Sequence, residues 1–220
     1  MSMYLVHTPH YVQALLPGFL WKMSDNHKEI FLTFDDGPIP EVTPWVLSTL
    51  NQYDAKATFF CVGDNVRKHP NIFQQVIDEG HSVGNHTHNH LSGWSTENIS
   101  YFNNIRHCAR KVQSSLFRPP YGKLKPSQVQ FLQRHYRIIM WDVLSGDFDH
   151  DISPEDCAQN VIQHAGPGSI VVFHDSLKAE ANLRHALPQV LEHFSNLGYS
   201  FRALPKLVPE VAERRMSVAV

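Results

Sequence analysis

Short apolar runs alternate along this chain with segments whose apolar positions return every three to four residues, the two periods that mark strands and amphipathic helices. Runs at 29–34, 56–62, 81–84, 116–118, 137–143, 169–173 and 199–204 read as strands. Helical periods fill the intervals at 42–53, 65–79, 96–114, 127–135, 154–164 and 182–196. The last is the cleanest, with Leu183, Leu187, Val190, Leu191, Phe194 and Leu197 on one stripe and Gly198 placed as a left-handed cap. Such alternation predicts a largely parallel sheet, and seven repeats suffice for a distorted or incomplete (β/α)7 barrel. The expected fold class is therefore α/β, in a single domain whose barrel covers 29–206.

The flanks read differently. Residues 1–28 carry Tyr11, Leu15, Leu16, Phe19, Leu20 and Trp21 around Pro17-Gly18 and read as a helical lead packed on the barrel, while 207–220 read as a C-terminal tail. The lead lacks the dense Lys/Arg face of an interfacial helix, so a membrane-surface role for it is the weaker reading.

Composition narrows the function classes. A chain of 220 residues fits a one-domain barrel and can bury about three-quarters of its unfolded surface. The formal net charge is −2 and no basic run occurs, so the footprint of a nucleic-acid binder is missing. Cys61, Cys108 and Cys157 are far apart and outside any C-x-x-C pair, and they read as buried thiols. No run reaches the roughly 18 apolar residues of a membrane span. No basic segment followed by an apolar one opens the chain, so as written it reads as soluble and cytoplasmic, unless an export segment has been trimmed from it. Nothing in the pattern fixes an oligomeric state.

The chemistry gathers at strand ends. Asp35, Asp36, His86, Arg118, Asp147 and His174 each follow a predicted strand at its C-terminal end, where barrel enzymes carry their active groups. In Thr33-Phe34-Asp35-Asp36-Gly37-Pro38, two adjacent carboxylates on an extended chain point to opposite sides, so one can hold a metal while the other takes a proton. An ordinary Asp-Gly-Pro turn is the bland alternative. In His86-Thr87-His88-Asn89-His90 the outer pair is i, i+4, the spacing that puts two metal ligands on one face of a helical turn. On a strand, His86/His88 or His88/His90 would pair instead. Because 81–85 already fills the strand slot, His86 and His90 are favoured. Two histidines, one carboxylate and an open position suit a catalytic zinc ion, and Co²⁺ or Ni²⁺ would accept the same donors.

Arg118-Pro119-Pro120-Tyr121-Gly122 reads as a rigid, non-helical loop that aims a cation at a carboxylate. His174-Asp175 ends an apolar run and could be a capped core histidine, but its late, strand-end placement favours a functional one. Together these parts describe a metal-assisted hydrolase. Trp94 and Phe102 follow the histidine motif and read as satellite packing as readily as a sugar-stacking lip.

Over 30–204 these motifs, in this order, resemble the polysaccharide deacetylases of carbohydrate esterase family 4. Lys56-Ala57-Thr58-Phe59-Phe60 is a secondary match. The resemblance implies that Asp35 is the catalytic base, that Asp36, His86 and His90 hold one divalent metal ion, and that Arg118 braces the base. It implies an oxyanion site formed in part by the backbone N–H of Tyr121 beside Pro120, and a general acid, His174, oriented by Asp147. The fourth motif departs from the family, with Leu144 at an Asp position and Phe148 at a Trp position. Val172 stands where a Leu usually lines the acetyl pocket. These departures alter the shape of the pocket around the acyl group. The activity implied is removal of N-acetyl groups from an N-acetylhexosamine glycan or oligosaccharide. The alternatives are hydrolysis of a small amide or acetyl ester at the same site, and a non-catalytic metal-binding relative.

Overall fold

The computed structural model describes residues 4–205; the tail expected at 207–220 lies outside the described residues. Its longest strand, β2 (Glu29–Asp35), shows how the two-residue period builds the barrel. Ile30, Leu32 and Phe34 face an outer core shared with the helices, whereas Phe31 joins an inner cluster with Phe60, Leu116, Ile139 and Ile170. Thr33 and Asp35 follow on the inner side, since residues i, i+2 and i+4 of a strand share a face. The interior thus turns from apolar to polar toward the C-terminal end of β2.

β2 pairs with β3 (Thr58–Cys61) on one side and β8 (Ile170–His174) on the other. Beyond β3 come β4 (Ser82–Asn85), β5 (Leu116–Phe117), β6 (Arg137–Ile139) and finally β1 (Phe19–Leu20). Beyond β8 lies β7 (Val143–Leu144), and β9 (Ser200–Phe201) pairs with the start of β2. These pairings are all parallel, in the order β1-β6-β5-β4-β3-β2-β8-β7. The sheet curls into a barrel left open between β7 and β1, the incomplete α/β barrel expected from the alternation.

The helices lie around it in chain order: α1 (His10–Leu15) before β1, then α2 (Thr43–Asn51), α3 (Gly63–Lys68), α4 (Pro70–Asp78), α5 (Asn98–Ala109), α6 (Pro126–Leu132), α7 (Pro154–His164) and α8 (Glu180–Asn196). Ser153 caps α7 by accepting from the Asp156 N–H at 3.0 Å, with Pro154 in the first turn. α8 ends at Gly198, whose φ of 77° no β-carbon obstructs. Leu183, Leu187, Val190 and Leu191 of α8 are fully buried in the core with Ile30, Leu32 and Phe34. Truncating one of them, as in Leu187→Ala, costs about 2–5 kcal/mol.

Three departures from the sequence pattern matter. The helix expected over 65–79 breaks at His69 (φ −127°, ψ 56°), because Pro70 disfavours helical backbone in the residue before it. The strand expected over 137–143 splits into β6 and β7. Between them the carbonyls of Ile139 and Met140 accept from Arg118 (3.3 and 2.9 Å) instead of a neighbouring strand. Among the described residues the lead is helical only in α1; its next segment is β1, which extends the sheet through Phe19↔Ile138 and Leu20↔Ile139.

At the seam between β6 and β7 the lead meets a buried carboxylate, Asp142 (1% exposed). Its Oδ2 accepts from Ser169 Oγ at 2.6 Å and lies 3.9 Å from Lys22 Nζ. Its Oδ1 accepts from Gln13 Nε2 and lies near His7 Nε2, both at 3.3 Å. Cys61, Cys108 and Cys157 are buried free thiols, as expected. Among the described residues, no helix is long and apolar enough to cross a membrane.

Candidate active site

Asp35 closes β2 in register with Phe60 of β3 and His174 of β8, so three strand ends converge on it. Its Oδ1 accepts from Arg118 Nη1 at 2.7 Å. The Arg118 side chain is wholly buried, and it also donates to Thr33 Oγ1 at 2.7 Å and lies 4.2 Å from the Phe60 ring centre. With Nε and Nη2 donating to the Ile139 and Met140 carbonyls, four of its five N–H donors are taken, which fixes the Asp35 carboxylate in place.

Asp36 does not continue the strand. Its backbone turns left-handed (φ 85°), its N–H donates to the Phe60 carbonyl at 3.3 Å, and its own carbonyl accepts from Asn65 at 2.8 Å. The expected opposite orientation of the two carboxylates is therefore not found: Asp35 Oδ2 and Asp36 Oδ1 lie 4.0 and 3.7 Å from the same atom, His86 Nε2. Asp175 makes the turn possible. Its carboxylate accepts from the Gly37 N–H at 3.0 Å and from Thr43 Oγ1 at 2.6 Å, and it occupies the space any β-carbon at Gly37 would need. Burial pushes the Asp175 pKa up to about 8.

His86 and His90 do come together, with ring centres 5.0 Å apart, but not on a helical turn. The segment after β4 is a loop with two left-handed residues, Thr87 (φ 63°) and His90 (φ 55°). Asn85 Oδ1 accepts from the Thr87 N–H at 2.9 Å, and Thr87 Oγ1 accepts from the Leu91 N–H at 3.1 Å. These local bonds offset the strain of a β-branched residue at positive φ. His88 points away, stacked on His107 at 3.7 Å.

The donor chemistry of Asp36, His86 and His90 fits a metal ion. One ligand atom from each lies within 4.8 Å of the others. His86 Nδ1 is 2.8 Å from the Arg118 carbonyl, which can only accept, so the proton sits there and Nε2 presents its lone pair inward. Burial pulls the His86 pKa down to about 4 against the charges of Asp35 and Asp36, so the ring is neutral at pH 7. Asp36 Oδ1 is shielded from solvent, 3.1 Å from His90 Nε2, and takes no hydrogen bond. A shielded carboxylate oxygen without a hydrogen bond, facing the inward lone pair of His86, calls for a cation.

Across the cavity, His174 Nδ1 is 2.7 Å from Asp147 Oδ1, and the His174 N–H donates to Asp147 Oδ2 at 2.7 Å. Burial pulls the His174 pKa down, but the charge and hydrogen bond of the fully buried Asp147, with Asp36 and Asp35 beyond, outweigh it and bring it up to about 9. The Phe148 ring meets His174 edge-on at 5.2 Å, and its other side carries Tyr4 from the lead, also at 5.2 Å. Val172, buried and paired with Thr33 and Leu144, lies one pleat below His174. On the third side, buried Pro120 leads into a short 3₁₀ turn at Pro120–Gly122, where Tyr121 (φ 61°) sets its ring against His90 at 4.8 Å.

Comparison with known proteins decides the family. Residues 22–136 match the polysaccharide deacetylase family. A peptidoglycan-N-acetylglucosamine deacetylase of Bacillus cereus is 33% identical over 195 residues, covering 86% of this chain and 92% of the relative. The chain belongs to the polysaccharide deacetylase family. A second relative, a chitooligosaccharide deacetylase of Azorhizobium caulinodans, is 32% identical over 70% of this chain and 77% of its own. The family fold is shared closely: the crystal structure of the Bc1960 peptidoglycan N-acetylglucosamine deacetylase superposes with a TM-score of 0.83 at 30% identity, covering 90% of this chain and 95% of that one.

In this family member Asp35, Asp36, His86, His90, Arg118, Asp147 and His174 meet at adjoining strand ends and the loops that follow them. Sequence reasoning missed Asp175 and Thr43, which anchor the turn beneath Asp36, and Tyr4, which backs Phe148. Asp175 had a readable signal in its position beside His174 at a strand end. Tyr4 had none, because nothing local ties residue 4 to residue 148.

Proposed function

We propose that this chain is a metal-dependent deacetylase that hydrolyses the N-acetyl group of an N-acetylhexosamine glycan. The observation that carries the reading is a three-ligand cluster, with one shielded carboxylate oxygen that takes no hydrogen bond, beside an arginine-held carboxylate and an aspartate-held histidine on paired strand ends. Asp36, His86 and His90 would hold the ion, Zn²⁺ first by donor type and Co²⁺ or Ni²⁺ next. A divalent ion bound there supplies Lewis acidity toward a carbonyl and acidifies a water.

The chain's own residues do the rest. Asp35 takes the proton of the attacking water, because Arg118 holds and aims its carboxylate. The Tyr121 N–H steadies the oxyanion that forms on the acetyl carbonyl, a type of donor worth about 3–4 kcal/mol. His174, protonated at neutral pH, gives its proton to the departing amine nitrogen while Asp147 holds the ring. Phe148 and Val172 narrow the acyl side of the cavity.

The test is acetate release by the zinc-loaded protein from N-acetylglucosamine oligomers of increasing length, with Asp35→Asn as the blank. Release that rises with length supports a glycan deacetylase with an extended cleft. Absence of release with metal bound would move the reading to a small amide or acetyl ester.

A further inference from the structure

Beside the metal-ligand cluster lies a shallow pocket of about 450 Å³ lined by Ser92, Trp94, Ser95, Tyr121 and Lys123. It adjoins the reaction site directly, because the Tyr121 ring that lines it is the one set against His90. Trp94 and Tyr121 are 62% and 63% exposed, a large apolar area to leave in water beside a cleft.

These side chains are not loose. The Trp94 indole N–H donates to the Leu124 carbonyl at 3.1 Å, which fixes the ring plane. Gln128 donates to the Gly93 carbonyl at 3.0 Å, and Lys125 Nζ to the Thr96 carbonyl at 2.8 Å, tying the loop after the histidine motif to the loop after Tyr121. At Gly93 a β-carbon would collide with the Lys123 carbonyl, so the two loops meet at backbone distance. The platform is built before any ligand arrives.

Lys123 supplies the charge. Its Nζ lies 5.3 Å from the Trp94 ring centre and 6.0 Å from that of Tyr121. Among the described residues, no carboxylate lies within ion-pair distance of it. Arg184 over Trp45 shows the contrast: that cation also sits on an indole, at 4.7 Å, but its charge is used by Glu180 at 2.7 Å and the Glu41 carbonyl at 2.9 Å. A lysine resting on a ring accounts for part of the geometry, since such contacts give about 0.5–1 kcal/mol at exposed sites. It does not account for a pinned indole face and an exposed phenol face around an uncompensated ammonium.

Aromatic faces stack on the C–H faces of pyranose rings, and an ammonium beside them selects a carboxylate. We infer that this pocket is a subsite for an acidic sugar, a carboxylate-bearing hexosamine next to the N-acetyl sugar that reacts. The inference rests on the glycan-deacetylase reading and adds the charge of the neighbouring residue. The alternating glycan of peptidoglycan, in which N-acetylmuramic acid carries a lactyl carboxylate, has that chemistry; chitin oligomers do not.

The experiment compares three tetrasaccharides on the zinc-loaded protein: N-acetylglucosamine–N-acetylmuramic acid with free carboxylates, the same glycan as its methyl esters, and neutral chitotetraose. In the wild type kcat/KM should favour the free acid over its ester by about fivefold, the size a partly exposed ion pair supports. Lys123→Met should erase that preference and leave chitotetraose within twofold, and Lys123→Arg should restore it. Trp94→Ala should lower all three by about three- to tenfold. Equal turnover of acid and ester by the wild type, or an equal loss on every substrate in Lys123→Met, would overturn the inference. Should no glycan be turned over, calorimetric binding of acid and ester to the zinc-loaded Asp35→Asn protein decides it. A Lys123-dependent preference for the acid then keeps the subsite while the deacetylation reading falls, and equal binding removes both.

Discussion

Two aspartates, half-buried Asp36 at the strand ends and buried Asp142 at the barrel seam, show how a carboxylate matched within its own chain differs from one that is not. At the seam, both oxygens of Asp142 face donors of its own chain: Ser169 and Lys22 on one side, Gln13 and His7 on the other. At the cavity, Asp36 Oδ1 faces two imidazole nitrogens and takes no hydrogen bond, although it is shielded from water. Asp36 is the more exposed of the two residues, yet its Oδ1 is as shielded as the Asp142 carboxylate. A carboxylate whose lone pairs are matched within the chain holds the fold, whereas a shielded oxygen left without a hydrogen bond calls for a cation.

Substitution at each site should break the comparison in opposite ways, and the largest effect belongs to Asp36. Asp36→Ala should lower metal affinity by more than about 100-fold, beyond the range set by loss of a mere supporting group. Metal analysis of the dialysed protein is the check, and a zinc-replete Asp36→Ala protein would refute the ligand assignment. Asp35→Asn should keep its zinc and lose about 10²–10⁴ in kcat, the range for a general base. If instead it loses metal in step with activity, Asp35 is a ligand and the two neighbours share one job.

His174 sharpens the comparison from the next strand, since its partner Asp147 is as buried as Asp142 but holds an imidazole whose pKa its charge and hydrogen bond raise, against burial, to about 9. In the metal-free protein an imidazole NMR titration should find its midpoint near 9. A histidine whose folded pKa is raised adds stability that is fully present below its unfolded value of about 6.5. That stability is lost as pH rises through about 9. In Asp147→Asn the midpoint should fall, because burial then acts against fewer negative charges. A wild-type midpoint near the unfolded value would leave the amine without a proton donor at neutral pH.

How far the sequence reached differs between the same two regions. The cavity residues were legible because each sits at the end of an apolar run or in a dense polar motif, and strand-end placement follows from the barrel's topology. The route by which they meet was less so. The i, i+4 spacing of His86 and His90 suggested a helical turn, but the left-handed backbone at Thr87 and His90 depends on side-chain bonds from Asn85 and Thr87 that no periodicity encodes. The seam was nearly illegible. Residues 137–143 read as one strand because Ile138, Ile139, Met140 and Val143 are all apolar, and the split is decided by Arg118, which claims the carbonyls of Ile139 and Met140 from far away in sequence. β1 is two residues long, too short to carry a period, and its partner β6 lies beyond most of the barrel.

At the seam the expected effect is on stability alone. Asp142→Ala should cost about 2–3 kcal/mol, the penalty for leaving buried donors unpaired, or roughly 4–12 °C in Tm for a chain of this size. Zinc content should be unchanged. A variant that loses metal without losing Tm would mean that the lead, not the fold, communicates with the cavity, a path the Tyr4–Phe148–His174 stack makes physically available.

The smallest effect separates charge from hydrogen bonding within the seam itself. Lys22 is 30% exposed and 3.9 Å from Asp142, while Ser169 Oγ is buried and 2.6 Å away. Lys22→Met keeps the aliphatic stem and should cost no more than about 1 kcal/mol, the ceiling for most exposed pairs, with Tm nearly insensitive to added salt. Ser169→Ala removes a short buried donor to a charged acceptor and should cost about 1.5–3 kcal/mol. Should Lys22→Met prove the costlier of the two, the lead is held to the barrel by its charge and should loosen as ionic strength rises. The predicted order instead makes it a fixed part of the sheet, held by the Thr8 N–H to Asp142 carbonyl bond at 2.9 Å and by β1 against β6.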